Sequence, residues 1–332
     1  NSTFLLNLAL NSKNQLNGLT LGQYKEDKKS GITLDPALEE TPITLKTLTG
    51  TISGSLVMPK NPAGKIPVVL IIADAGPTDR DGNNVKTGVN GNTYKMLAND
   101  LGKNGIATVR YDKRLVGASV TQGKASELRI EDYGDDALGL LKMLGDDQRF
   151  SKIITFGHGE GALVAGLAFS DSPAKAFIGA EWPADNGDII LKNQLKGKAQ
   201  FIQDEFKTFL DSLRKGKTTP NIDPALYFIA SPNMQNFIMS WCRYDPIRGI
   251  KRIKAPMLLI QGTTDKTVTV DNGRRLKKAK SDATLLEIKG MNHILKEAPD
   301  DEAENVATYD KPDLPLKPEL VPAIVEFINK VR

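Results

Sequence analysis

Three short stretches hold the side chains and turns that catalysis could use. The first is Gly157-His158-Gly159-Glu160-Gly161, directly after an apolar run ending at Phe156. Its glycine-flanked frame is that of a nucleophile elbow, a sharp strand-to-helix turn that pushes one residue outward. The second is Gly262-Thr263-Thr264-Asp265, an acid just past the apolar run 257–260. The third is Met291-Asn292-His293, just past the apolar run 285–288. Elbow, acid and histidine in this order can form a triad. The histidine takes the nucleophile's proton, and the acid fixes its tautomer and supports the imidazolium. The elbow residue that should attack is Gly159, which has no side chain to attack with. In a measured case, loss of the nucleophile costs on the order of a millionfold in turnover.

No neighbour is an obvious substitute. His158 and Glu160 flank the elbow tip and should point elsewhere. The single cysteine, Cys242, reads as a small buried hydrophobe. With two histidines, His293 is assigned as the relay base and His158 as a packing and hydrogen-bonding support of the elbow. Asp265 reads as the acid of the triad rather than a plain turn acid.

The elements that must carry these residues alternate. Ile43–Met58 reads as two antiparallel strands. The run Pro67–Ala73 suits a strand buried on both faces of a parallel sheet. Strands follow at 106–111, 152–156, 176–180, 257–260 and 285–288. Helices are expected at 94–103, 127–144, 162–169, 272–280 and 321–331. This predicts an α/β fold with a doubly wound, mostly parallel sheet. Residues 183–250 break the alternation. They are helix-rich, with Gln200–Leu213 strongly amphipathic, and read as a helical cap inserted between two strands. Ligands in such sheets bind outside the strands' C-terminal ends, here under the cap. Residues 1–42 read as a polar N-terminal extension with a strand or hairpin, and 43–332 as the main domain.

The sequence resembles the α/β-hydrolases of the serine aminopeptidase and monoacylglycerol-lipase type. More narrowly, it is similar to a bacterial esterase branch whose oxyanion loop reads roughly GSGPTDRDGN and whose elbow reads GHSEG. The matching stretches are Gly76–Asn83, Arg110-Tyr111-Asp112-Lys113-Arg114, Gln261–Asp265 and Met291-Asn292-His293. Ser240–Pro246 in the cap is also similar. The resemblance covers about residues 43–332. It implies that a serine at 159 would attack an acyl carbonyl, His293 would relay the proton and Asp265 would orient it. The backbone N–H groups of Ala75 and Glu160 would bind the oxyanion. No cofactor or metal is implied, and the ligand would be a small acyl ester or a peptide-like molecule.

Three loops depart from the family pattern. Gly159 stands for the serine, Asp74-Ala75 stand for Gly-Ser, and Leu115 stands for a glycine after Arg114. A carboxylate at 74 facing the site would oppose a developing negative charge; the sequence leaves its direction open. One engineered Ser→Gly change would alter one loop, whereas three loops differ. That favours a natural paralogue that lost catalysis. Three readings stay open: a crippled ester hydrolase, a binding protein using the capped pocket, and slow hydrolysis by a water activated by His293.

Composition narrows the rest. The chain has 332 residues, 40% of them hydrophobic, enough for a sizeable core. One cysteine excludes an intrachain disulfide framework. A net charge of +4 without a dense basic stripe does not argue for nucleic acid. No apolar run reaches membrane-spanning length. The chain starts without Met and without a signal-peptide pattern; a processed, exported chain and a sequence that simply starts here both fit. The turn Ala73–Pro77 lacks a dinucleotide fingerprint. Asp79, Arg80, Asp81, Arg110, Asp112, Lys113 and Arg114 read as internal ion pairs, and Arg274–Lys280 as a solvated helix face. Trp241, Phe237 and Tyr244 fit an acyl pocket and ordinary cap packing equally. Oligomeric state is not legible.

Overall fold

The computed structural model describes residues 4–10, 16–23 and 32–332. They belong to two compact units, Asn1–Gly31 and Ile32–Arg332. In the small unit, β1 (Phe4–Leu10) and β2 (Leu16–Gln23) pair antiparallel. The side chains of residues 1–31 lie outside the described residues.

The large unit begins at Ile32, ahead of the sequence-derived boundary at 43. The reason is β3 (Leu38–Thr47), an edge strand whose residues alternate between more and less exposed. A half-solvated edge tolerates Glu39, Glu40 and Pro42, the residues that masked its start. β3 pairs antiparallel with β4 (Gly50–Pro59). The remaining strands are β5 (Ile66–Ile72), β6 (Ala107–Tyr111), β7 (Val120–Thr121), β8 (Phe150–His158), β9 (Ala176–Ala180), β10 (Met257–Gly262) and β11 (Thr284–Ile288). Among the described residues, this sheet has nine strands, in the order β11-β10-β9-β8-β5-β6-β4-β3 with β7 paired to β4. From β11 through β6 every pairing is parallel.

β5 shows why its sequence is apolar throughout. Val68, Leu70 and Ile72 pack on one face of the sheet. There they meet Leu140 and Leu141 of α2 (Ile130–Asp146) and Val164 and Ala165 of α3 (Glu160–Phe169). Val69 and Ile71 pack on the other face. They meet Leu97 and Leu101 of α1 (Thr93–Lys103) and Ile324 and Ile328 of the last helix, Leu320–Lys330. Both faces of the strand are covered, so no polar position is tolerated.

Between β9 and β10 lie α4 (Gly187–Gln194), α5 (Gln200–Arg214), α6 (Tyr227–Ala230), α7 (Gln235–Trp241) and α8 (Pro246–Ile250), with no strand. α5 buries Phe206, Phe209, Leu210 and Leu213, one face at helical spacing. They join Ile229 and Ile238 in a core separate from those of the sheet. The chain then continues through α9 (Val270–Ala279), α10 (Glu302–Ala307) and the closing helix, α11. Among the described residues, no helix is long and apolar enough to cross a membrane.

The chain leaves β5 toward β6 on one side and later returns to β8 on the other. The strand order therefore reverses between β5 and β8. Their C-terminal ends splay two loops apart there, and this is where such sheets bind ligands.

Candidate active site

β8 ends on His158 and α3 starts on Glu160. Gly159 turns the chain between them at φ 53° and ψ −120°, a conformation only glycine adopts without strain. Gly161 is required for a different reason. A β-carbon there would stand 2.6 Å from the Ala73 carbonyl oxygen, so only glycine lets α3 sit on the end of β5.

Asp74 follows β5 directly. Its N–H donates to Tyr94 Oη at 2.9 Å, and Lys113 Nζ donates to its carbonyl at 2.5 Å. With the backbone held from both sides, the carboxylate turns into the elbow. Oδ1 accepts the Glu160 N–H at 3.0 Å. The Ala75 N–H also favours its ionised form. Oδ2 lies 2.9 Å from His293 Nε2. The other ring nitrogen, Nδ1, lies 2.8 Å from Asp265 Oδ2. Asp265 Oδ1 in turn accepts the N–H groups of Thr267 and Val268 at 2.7 and 2.8 Å.

Each ring nitrogen of His293 thus faces a carboxylate, which only accepts. Burial works against charge on this imidazole, but Asp265 and Asp74 outweigh it and hold its pKa well above the usual value. Burial likewise opposes charge on Asp74 and Asp265, yet His293 draws both below the ordinary carboxylate range. The resting state is an imidazolium between two carboxylates. Such a ring has no free lone pair with which to take a proton from water.

His158 behaves differently. Its Nε2 lies 2.7 Å from the His293 carbonyl, so Nε2 carries the proton, and Nδ1 accepts from Tyr94 Oη at 2.8 Å. Burial pushes its pKa down to about 4, leaving it neutral. It ties the elbow to the His293 loop and, through Tyr94, to the Asp74 backbone.

No family model matches the chain. Over 272 residues it is 28% identical to the esterase EstD of Thermotoga maritima. The match covers 79% of this chain and 61% of that protein, so the chain spans only part of the relative's length. Est1E of Butyrivibrio proteoclasticus, solved with ferulic acid bound, is similar in fold with a TM-score of 0.56 and 17% identity. That likeness covers 87% of this chain and 100% of Est1E. An esterase of Pyrococcus furiosus, Pf2001, is similar at a TM-score of 0.56 and 15% identity, over 89% of this chain and 92% of that one.

The chain has the α/β-hydrolase fold and is similar to esterases.

In this α/β-hydrolase fold the three loops read from the sequence converge. Asp265, His293 and the elbow at Gly159 meet at the ends of β10, β11 and β8. The backbone of Glu160 lies where an oxyanion donor is expected, but its N–H is already taken by Asp74. Above them opens a cavity of about 640 Å³. Asp74, Glu160 and His293 form its floor, and Phe237, Trp241 and Ile229 reach in from the cap. Of the two roles open to Tyr244, it takes cap packing: its hydroxyl donates to Glu131 Oε1 at 2.9 Å. Cys242 is half-buried, and burial pushes its thiol up to about 12.

The charged residues around the oxyanion loop are internal pairs. Arg80 meets Asp112 at 2.6 Å, Arg110 bridges Glu40 and Asp81, and Arg114 meets Asp136 at 2.7 Å. On α9, Arg274 and Arg275 face outward and pair with Glu287 and Asp185. Leu115 takes the left-handed conformation at φ 63° that a glycine would adopt freely.

Two participants were missed by sequence reasoning. One is Tyr94, near the start of α1, whose hydroxyl reaches His158 at the end of β8. The other is Glu181, fully buried just past β9. It accepts the Gly262 N–H at 2.7 Å and the Gln261 amide. Burial, and then Asp265, with which it hydrogen-bonds, raise its pKa well above the usual carboxyl value. Its place immediately after a buried strand was the one available signal.

Proposed function

We propose that this protein descends from carboxylic-ester hydrolases but no longer performs serine-type acyl transfer, and that its capped cavity binds a small acyl-ester or peptide-like molecule. One observation carries the reading. The Asp74 carboxylate takes two places at once: the space a side chain on residue 159 would need, and the N–H group that would stabilise an oxyanion. Substrate attack needs a neutral histidine beside a hydroxyl and free donors for the carbonyl oxygen. Here the histidine is charged and the donor is occupied. The same charge counts against the water route, since His293 has no lone pair to offer while Asp74 is ionised.

The test is hydrolysis of p-nitrophenyl acetate and butyrate by the natural chain, by Gly159→Ser and by Asp74→Gly/Gly159→Ser. The natural chain and the single variant should be inert, and the double variant should hydrolyse both esters. Activity in the natural chain that disappears in His293→Ala would overturn the reading. Silence of the double variant would favour a pocket remodelled for binding alone. Est1E was solved with ferulic acid, which makes ferulate a sensible first ligand to titrate against the fluorescence of Trp241, a residue of the cavity wall.

A further inference from the structure

The carboxylate that blocks acyl transfer is itself a nucleophile in a prepared site. Carboxylates attack carbon in several enzyme classes, forming an enzyme ester that water then cleaves. Asp74 lines the cavity, and its side chain is 24% exposed despite its two partners. Its Oδ1 already rests on the Glu160 N–H, and its Oδ2 faces His293 Nε2. If Oδ2 were alkylated, the resulting ester would have its carbonyl oxygen on that N–H and a histidine beside its carbonyl carbon. That is the arrangement ester hydrolysis requires. The machinery inherited for cleaving a bound ester surrounds this carboxylate.

We propose that Asp74 is the nucleophile of a second chemistry, the opening of small apolar epoxides to diols in the capped cavity. The residues narrow the class of substrate. Attack on an acyl ester would yield an anhydride, which lies uphill from the ester. Attack on a saturated carbon yields a stable ester instead. The resting His293 carries a proton on Nε2, facing the place where a leaving oxygen would develop charge. An epoxide needs that proton, and its ring strain drives the step. The cavity wall of Phe237, Trp241 and Ile229 suits an apolar substituent.

The step balances. Asp74 Oδ2 bonds to one epoxide carbon, the carbon–oxygen bond of the ring breaks, and His293 protonates the released oxygen. Asp74 is now a neutral ester and His293 a neutral base, held by Asp265 at 2.8 Å. His293 takes a proton from water, which attacks the Asp74 carbonyl carbon while the Glu160 N–H holds the oxyanion. Collapse releases the alcohol oxygen, which takes the proton from His293. Asp74 emerges as the acid and returns its proton to His293. The sum is epoxide plus water to diol, with no other reactant. The chemistry goes beyond the loss of acyl transfer proposed above and rests only on the cavity's admitting a small molecule.

Styrene oxide is the probe. In heavy-oxygen water under single-turnover conditions, water attacks the enzyme ester rather than the epoxide. The label should therefore appear in the tryptic peptide 66–80, at Asp74, and the first diol should be unlabelled. The natural chain quenched in acid during turnover should carry the epoxide's mass on the same residue, whereas His293→Gln, which lacks both the ring-opening proton and the base for the second step, should form neither adduct nor diol. Asp74→Asn should lose at least a hundredfold of the diol formation, with its melting temperature showing whether it is folded. Modification only at Cys242 or at another carboxylate, or neither label nor adduct at Asp74 in the natural chain, overturns the proposal. Titration with the unreactive styrene diol, followed by Trp241 fluorescence, separates the two readings. Diol binding without an adduct defeats the epoxide chemistry alone; absence of both defeats the chemistry and also counts against the cavity as a ligand site.

Discussion

Asp74 and Gly159 exclude each other's alternatives. A β-carbon on residue 159 would stand 2.6 Å from Asp74 Cγ and closer still to its Oδ1. The carboxylate can therefore reach His293 only if residue 159 is glycine, and a serine at 159 can occupy the elbow only if residue 74 withdraws. The two positions are therefore sterically coupled.

The first prediction follows from that coupling. Gly159→Ser alone should destabilise the protein by about 1–3 kcal/mol, through a strained backbone and an overfilled elbow. Asp74→Gly in the same chain should recover part of that loss. Denaturant melts of both single variants and the double variant give the interaction energy. Additive effects, or a Gly159→Ser protein as stable as the natural one, would remove the steric argument.

The second concerns charge. With only two histidines in the chain, their ring signals are easily assigned. Nitrogen NMR at neutral pH should show His293 protonated on both nitrogens and His158 neutral, with its proton on Nε2. A neutral His293 at pH 7 would contradict the ion triad.

The third is the pH dependence of stability. His293 has a folded pKa above its unfolded value of about 6.5. Its contribution is complete below that pH and is lost as pH rises through the folded value. Asp74 is depressed, so its contribution is present above about pH 4 and is lost as pH falls through its folded value. The triad should stabilise most between these limits. Melting curves of His293→Gln should therefore fall furthest below those of the natural chain near pH 5–6, and the gap should narrow on the alkaline side.

The fourth is Leu115. A leucine at φ 63° carries left-handed strain of about 1–2 kcal/mol. It is 47% exposed, so little packing is lost on its removal. Leu115→Gly should raise stability by up to about 1 kcal/mol after the added chain entropy of glycine. A lower melting temperature would show that its contact with the cavity matters more than the strain.

The fifth is Glu181. Glu181→Ala leaves the buried Gly262 N–H and the Gln261 amide without this acceptor. It should cost about 1–3 kcal/mol, and His293 should titrate at a different pH because Asp265 loses its neighbour. A protein unchanged in both respects would mean the acid is dispensable.

Much of this was legible in the residues themselves. Local pattern decided the strand-helix alternation, because a strand covered on both faces must be apolar, as 66–72 is. The elbow frame, Asp265 and His293 were legible because turn chemistry at strand ends is local. So was the absence of a side chain at the elbow residue, since no context gives glycine one. The direction of Asp74 was not local. It depends on Tyr94, 20 residues away, and Lys113, 39 residues away, which grip its backbone, and on Glu160, 86 residues away, whose N–H receives its carboxylate. Glu181 is the same kind of case: its role comes from an acid 84 positions later in the chain, across two parallel strands. The sequence by itself determined which groups exist and which strand ends bear them. Only the tertiary structure decided that the Asp74 carboxylate fills the elbow beside Gly159, because side-chain direction at a strand end is set by partners the chain brings from far away.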